Sequence, residues 1–254
     1  MNAPLTEYLM PGGGASITAL PKVSLHDHLD GGLRPQTIIE LADAIGLALP
    51  AQESSALATW FSEKSDSGSL VEYLKTFDVT IGVMQTHDGL ARVAREFVLD
   101  LHADGVIYGE IRWAPEQHLT RGLSLDQAVD AVQEGLNAGV EEVSHAGGSI
   151  RVGQLVTAMR HADRGFEIAQ LAVRHRNNGV VGFDIAGAEA GFPAGNLRDA
   201  FDYLAQHFFP ATAHAGEADG LDSIRGALFD GRALRLGHGV RLAEDVETSR
   251  EDDE

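Results

Sequence analysis

The chain contains no cysteine, which excludes disulfides, thiolate zinc sites and thiol nucleophiles together. Any metal site must therefore draw on His, Asp or Glu. Cations are scarce as well: 19 Lys and Arg stand against 38 Asp and Glu, a formal charge of -19. A surface that tracks phosphates needs clustered Lys and Arg, so the charge argues against nucleic acid as a partner, and the acidic surface serves solubility. No apolar run reaches the ~18 residues that a membrane span requires, and Met1-Asn2-Ala3-Pro4-Leu5 lacks a basic leader pattern. These absences predict a cytoplasmic protein with no membrane partner. They leave the oligomeric state open.

What is present is ordinary for a soluble globular chain: 254 residues, 44% hydrophobic and 22% charged, enough for one large domain. Residues 1–19, with Pro11-Gly12-Gly13-Gly14, read as a flexible lead-in. Residues 22–30 are patterned as a strand, so His26 and His28, two apart, project from one face. A coincidental polar face on an edge strand would look the same. Gly31-Gly32 turns the chain, and Arg34-Pro35 leads into a helix. Residues 62–69 read as a polar loop. After it, Leu70, Tyr73, Leu74 and Phe77 recur at i, i+3, i+4 and i+7, an amphipathic stripe that pattern alone assigns to the core.

A helix ending near Ala103 then opens a rhythm. Strands are expected over 105–115, 149–157, 179–185, 210–215 and 234–239, with helices over 124–143, 165–177, 197–207 and 221–229 between them. Such alternation implies right-handed βαβ units and a parallel sheet. In a parallel α/β barrel the C-terminal strand ends converge on one mouth, which carries the chemistry. His26, His28, His214 and His238 all fall at such ends, as do Asp184 and the Gly187 backbone. Three imidazoles suit a catalytic zinc that keeps a position for water, whose pKa the ion lowers to about 7. Glu217, just beyond His214, is a candidate general acid if burial raises its pKa. A surface loop carboxylate would occupy the same place.

These stretches resemble the adenosine deaminases, metal-dependent (β/α)₈ barrels of the amidohydrolase group. The likeness runs through Leu20-Pro21-Lys22 and His26-Asp27-His28-Leu29-Asp30-Gly31, then Asp184-Ile185-Ala186-Gly187, His214-Ala215-Gly216-Glu217 and Leu236-Gly237-His238-Gly239-Val240, in the family's order. Residues 180–187 hold no Lys or Glu to bridge two metals, which fits the single-zinc branch. The absence of cysteine sets aside the cytidine-type zinc deaminases.

The resemblance implies a parallel α/β barrel of TIM type with one Zn2+ per chain on His26, His28 and His214. It also implies that His238 orients or deprotonates the attacking water and that Glu217 protonates the purine N1. Asp30 and His28 would face the substrate, with Asp30 on the ribose and the Gly187 N–H on N3. Leu70, Tyr73, Leu74 and Phe77 would form a lid against bulk water. The implied activity is hydrolytic deamination of adenosine or 2′-deoxyadenosine to inosine or 2′-deoxyinosine in purine salvage. Deamination of adenine or an N6-substituted purine, or a silent zinc- or nucleoside-binding fragment, are the alternatives. The family pattern continues into two further strands with an Asp pair that Glu251-Asp252-Asp253-Glu254 does not match. A truncated barrel over residues 20–243, with six of eight strands, is therefore expected, followed by an acidic tail over 244–254.

Overall fold

The computed structural model describes Ser16, residues 20–68 and residues 70–246. Apart from Ser16, the lead-in expected over 1–19 lies outside the described residues, as do residues 247–254 of the expected tail. The described elements are β1 Lys22–His28, α1 Pro35–Ile45, α2 Ser54–Ser65, α3 Leu70–Val83, α4 His87–Ala103, β2 Val106–Trp113 and α5 Leu125–His145. They continue as β3 Arg151–Met159, α6 Gly165–Arg174, β4 Val180–Ala186, α7 Arg198–Gln206, β5 Thr212–Ala215, α8 Leu221–Phe229 and β6 Arg235–His238. From β2 onward strands and helices alternate as the sequence predicts. No helix among the described residues is long and apolar enough to cross a membrane.

Local chemistry sets the helix ends. Pro35 begins α1, where its missing N–H costs nothing, and Gly46 ends it in the left-handed region, with its N–H on the Ala42 and Asp43 carbonyls. Thr86 caps α4 by accepting the Gly89 N–H at 3.1 Å. The sequence reading fails at α2. Ser62 to Ser65, expected in a loop, complete this helix, in which only Leu57 is buried. A helix with so thin an apolar stripe looks like a polar loop, although Ala, Leu, Glu and Lys are good helix formers.

The chain divides into two compact units, one running to Ile111 with Thr120–Leu123 and Gln127–Gly153, the other comprising Arg112–Leu119, Ser124–Asp126 and the residues from Gln154 on. In the first unit β1 lies beside β2, and α4 meets α5 closely because α5 presents glycine. A Cβ on Gly135 would run into the Ala91 carbonyl oxygen, and one on Gly139 into Val98. Leu90, Val93, Ala94, Val98 and Leu136 fill this part of the core.

In the second unit β3 and β4 pair in parallel, with Thr157 opposite Asp184 and Met159 opposite Ala186. β5 and β6 also pair in parallel, with His214 opposite Gly237 and Ala215 opposite His238, and a parallel bridge from Phe183 to Ala211 links β4 to the entry of β5. Phe183 stands edge-on to Phe201 of α7 with ring centroids 5.7 Å apart, a contact that adds about 1 kcal/mol to its burial. Parallel pairing brings the C-terminal ends of β4, β5 and β6 to one edge, where Asp184, His214 and His238 stand.

Candidate active site

In the first unit, β1 carries His26 and His28 on one side of the strand, as its two-residue period requires. Their ring centroids are 5.5 Å apart. The chain then tightens into a 3-10 turn, Leu29–Gly31, that buries Asp30. Asp30 Oδ1 lies 3.8 Å from His28 Nδ1, too far for a hydrogen bond, and has no hydrogen-bond partner among the described residues. Burial pushes the Asp30 carboxyl up to about 7, against the opposing pull of a backbone hydrogen bond.

Asp30 lines a cavity of about 260 Å³ with Phe61, Tyr73, Thr76 and Phe77. Of the four residues expected in the lid, Tyr73 and Phe77 reach this cavity and stand edge to face with centroids 5.4 Å apart. Leu74 is 39% exposed and does not line it, and the side chain of Leu70 lies outside the described residues.

The second unit gathers the other predicted residues. His214 on β5 and His238 at the end of β6 have ring centroids 5.3 Å apart. His238 Nε2 stands 3.5 Å from Glu217 Oε2, each side chain about one-third exposed. Burial draws the His238 imidazole below its ordinary pKa, opposed by Glu217 and reinforced by His214. His238 also has a φ of 68°, in the left-handed region. Beyond β4, Gly187 has a φ of 95°, and a Cβ there would press on Met159 and His161.

The residues that support these groups escape the sequence reading. Arg112, 1% exposed, donates from Nη1 to Asp184 Oδ2 at 2.8 Å, and the same oxygen lies 3.0 Å from His214 Nδ1. Arg160, also buried, donates to the carbonyls of His214 and Phe192. Glu189 accepts the N–H groups of Gly216 at 2.6 Å, Glu217 at 3.0 Å, Ala218 at 2.7 Å and Asp219 at 3.0 Å, and the Ser223 hydroxyl at 2.6 Å. Arg112 leaves a trace in the sequence, as a charge between Ile111 and Trp113 in a strand run. Glu189 leaves none, because its partners lie 27 to 34 residues further on.

The donors fit a zinc ion by chemistry. His26 and His28 offer two neighbouring imidazoles. His214 turns Nδ1 to Asp184, so Nε2 is the atom it would offer a metal, with Asp184 as the carboxylate that orients it. Neutral imidazoles are borderline-soft ligands of the kind that zinc takes.

Parallel strands alternating with helices and ending in imidazole and carboxylate groups put the chain in the class of α/β proteins whose chemistry sits at strand ends. Within that class it belongs to the adenosine deaminase family, whose model matches residues 21–251. It is 56% identical over 232 residues to adenosine deaminase 1 of Streptomyces coelicolor, an alignment that takes in 91% of this chain and 59% of that protein. The chain thus spans about three fifths of that relative's length. Among solved structures it resembles an adenine deaminase from Arthrobacter aurescens, at 25% identity and a TM-score of 0.77 over 90% of this chain and 67% of the other. It also resembles an Arabidopsis N6-mAMP deaminase, at 29% identity and a TM-score of 0.75 over 88% and 66%.

Proposed function

We propose that residues 20–243 act as one hydrolase domain that deaminates adenosine and 2′-deoxyadenosine hydrolytically, with one zinc ion held by His26, His28 and His214. The observation that carries this reading is the approach of His238 Nε2 to Glu217 Oε2 at 3.5 Å, which sets a base and an acid side by side next to a ligand imidazole. Bound there, zinc would supply a water of pKa lowered to about 7 as the nucleophile. His238 would orient that water and take its proton. Glu217 would give a proton to the purine N1, which makes C6 electrophilic, and the deprotonated water would add at C6. The exocyclic amine would leave as ammonia with the proton that His238 had taken, while the added hydroxyl would return its proton to Glu217.

The remaining residues serve binding. Asp30 offers a buried acceptor to a ribose hydroxyl, with His28 beside it, and the Gly187 N–H donates to N3. Tyr73 and Phe77 keep bulk water from the reacting ring; Leu70 and Leu74 stand on the same helix. A second reading, deamination of adenine or an N6-substituted purine, is favoured by the likeness to the Arthrobacter and Arabidopsis enzymes. Asp30 weighs toward a nucleoside.

The test is adenosine turnover by the purified chain with zinc supplied, followed by purine absorbance, with Glu217→Ala as control. Turnover that the control abolishes supports the proposal. Faster turnover of adenine than of adenosine would transfer it to the second reading, and no turnover by a folded protein would remove both.

A further inference from the structure

The segment that carries Glu217 is held from outside itself. Glu189 belongs to the loop after β4, yet its carboxylate reaches across to the segment between β5 and α8. Oε1 takes the Gly216 N–H and the Ser223 hydroxyl, and Oε2 takes the N–H groups of Glu217, Ala218 and Asp219. Four successive amides curl round one carboxylate, an anion nest whose anion is a side chain of the same protein. Glu189 is almost fully buried, at 4% exposure. Burial works against its charge, but the Ser223 hydroxyl and the surrounding amides outweigh it and hold the group below the ordinary carboxylate range.

The arrangement leaves the segment few alternatives. Gly216 adopts a φ of 70°, and a Cβ there would strike the Ile224 side chain, so the turn is fixed from both sides. Without Glu189, four amides would point inward at nothing, and unpaired buried N–H groups are costly. The segment would then rearrange, carrying the Glu217 side chain away from His238.

We infer that Glu189 is a positioning residue that presets the Gly216–Asp219 segment and thereby aims the Glu217 carboxyl. The inference rests on the proposed role of Glu217 as proton donor, but the anchor itself can be tested separately. Glu189→Gln is the informative change, because each oxygen faces backbone N–H groups, which can only donate. An amide placed there turns an NH₂ group toward either the three N–H groups at Oε2 or the pair at Oε1.

Two readouts are taken on the zinc-supplied full chain. Amide hydrogen exchange in Glu189→Gln should quicken at least about ten-fold at residues 216–219, the equivalent of about 1.4 kcal/mol, with β3 and β4 unchanged. Adenosine kinetics should show kcat lowered about 10- to 100-fold, the scale of a misplaced catalytic group, with KM altered by less than about three-fold. Exchange that is unchanged at 216–219, or that quickens evenly across the chain, would overturn the anchor. A kcat equal to that of the parent alongside quickened exchange would overturn the aiming of Glu217. If the parent chain turns over no purine, the proposed reaction fails on that result, and exchange still decides the anchor. Should Glu189→Gln not fold, Ser223→Ala, which removes one donor, is expected to move the same amides about three-fold, and no local change there would count against the inference.

Discussion

Asp184 and His214 meet inside the second unit, with Oδ2 3.0 Å from Nδ1 and the same oxygen accepting from Arg112 at 2.8 Å. One carboxylate therefore stands against a candidate zinc ligand and neutralises a buried guanidinium. Asp184→Asn is expected to weaken zinc binding about 10- to 100-fold, as loss of an orienting partner does. It should also cost about 3–5 kcal/mol of stability, because Arg112 would be left buried without its counter-charge. Chelator competition measures the first and denaturant unfolding the second. Parent-like values in both would mean that the carboxylate supports neither neighbour.

Tyr73 and Phe77 form one edge-to-face pair on the Asp30 cavity. Each change to Ala is expected to lower kcat/KM for adenosine about ten-fold through loss of shielding while leaving the zinc content as it was. In a double-mutant cycle the pair should couple by about 1 kcal/mol. Strict additivity would show that the rings act separately.

Two glycine substitutions should move stability in opposite directions. Gly135→Ala drives a methyl into the Ala91 carbonyl and is expected to lose about 3 kcal/mol by prising α5 from α4. Gly226→Ala, inside α8, meets only the far end of Asp230 at 4.0 Å and should gain about 0.5–1 kcal/mol in helix propensity. Urea unfolding of the two variants gives the signs.

Asp126 sets a pH dependence at the acid end. The Arg174 guanidinium holds its carboxyl down to about 2, against slight burial and with help from His175. A depressed folded pKa stabilises the protein above the unfolded value of about 3.9, and that stability is lost as pH falls toward the folded value. Asp126→Asn should therefore be less stable than the parent at pH 6, and the gap should close between about pH 4 and pH 2. A gap that stays constant over that window would mean that the ion pair contributes nothing. The carboxylate is half exposed, so the gap should be small.

The strand ends are legible in the sequence because their signals are local. His26 and His28 follow a two-residue period, and Asp184 is the one charge in the otherwise apolar run of β4, three residues before a glycine that its φ of 95° requires. The α8 boundaries, Leu221–Phe229, are those that the sequence predicts. α2 is not legible because its burial is confined to Leu57, so periodicity has almost nothing to register. The residues behind the site are hidden for a different reason. Arg112 matters through Asp184, 72 positions away, and Glu189 through four backbone N–H groups, which almost any residue type would supply, and one hydroxyl. Contacts made to main chain leave no mark on composition or spacing.

The left-handed backbone of His238 has a consequence for engineering. An L-residue with a side chain costs about 1–2 kcal/mol in that region, a penalty that glycine escapes and asparagine softens. The φ of 68° therefore makes this position one where folding favours another amino acid than the imidazole that the proposed reaction needs. A library screened for heat resistance alone would drift toward His238→Gly or His238→Asn, and under the proposed role of His238 its most robust members would be its least active.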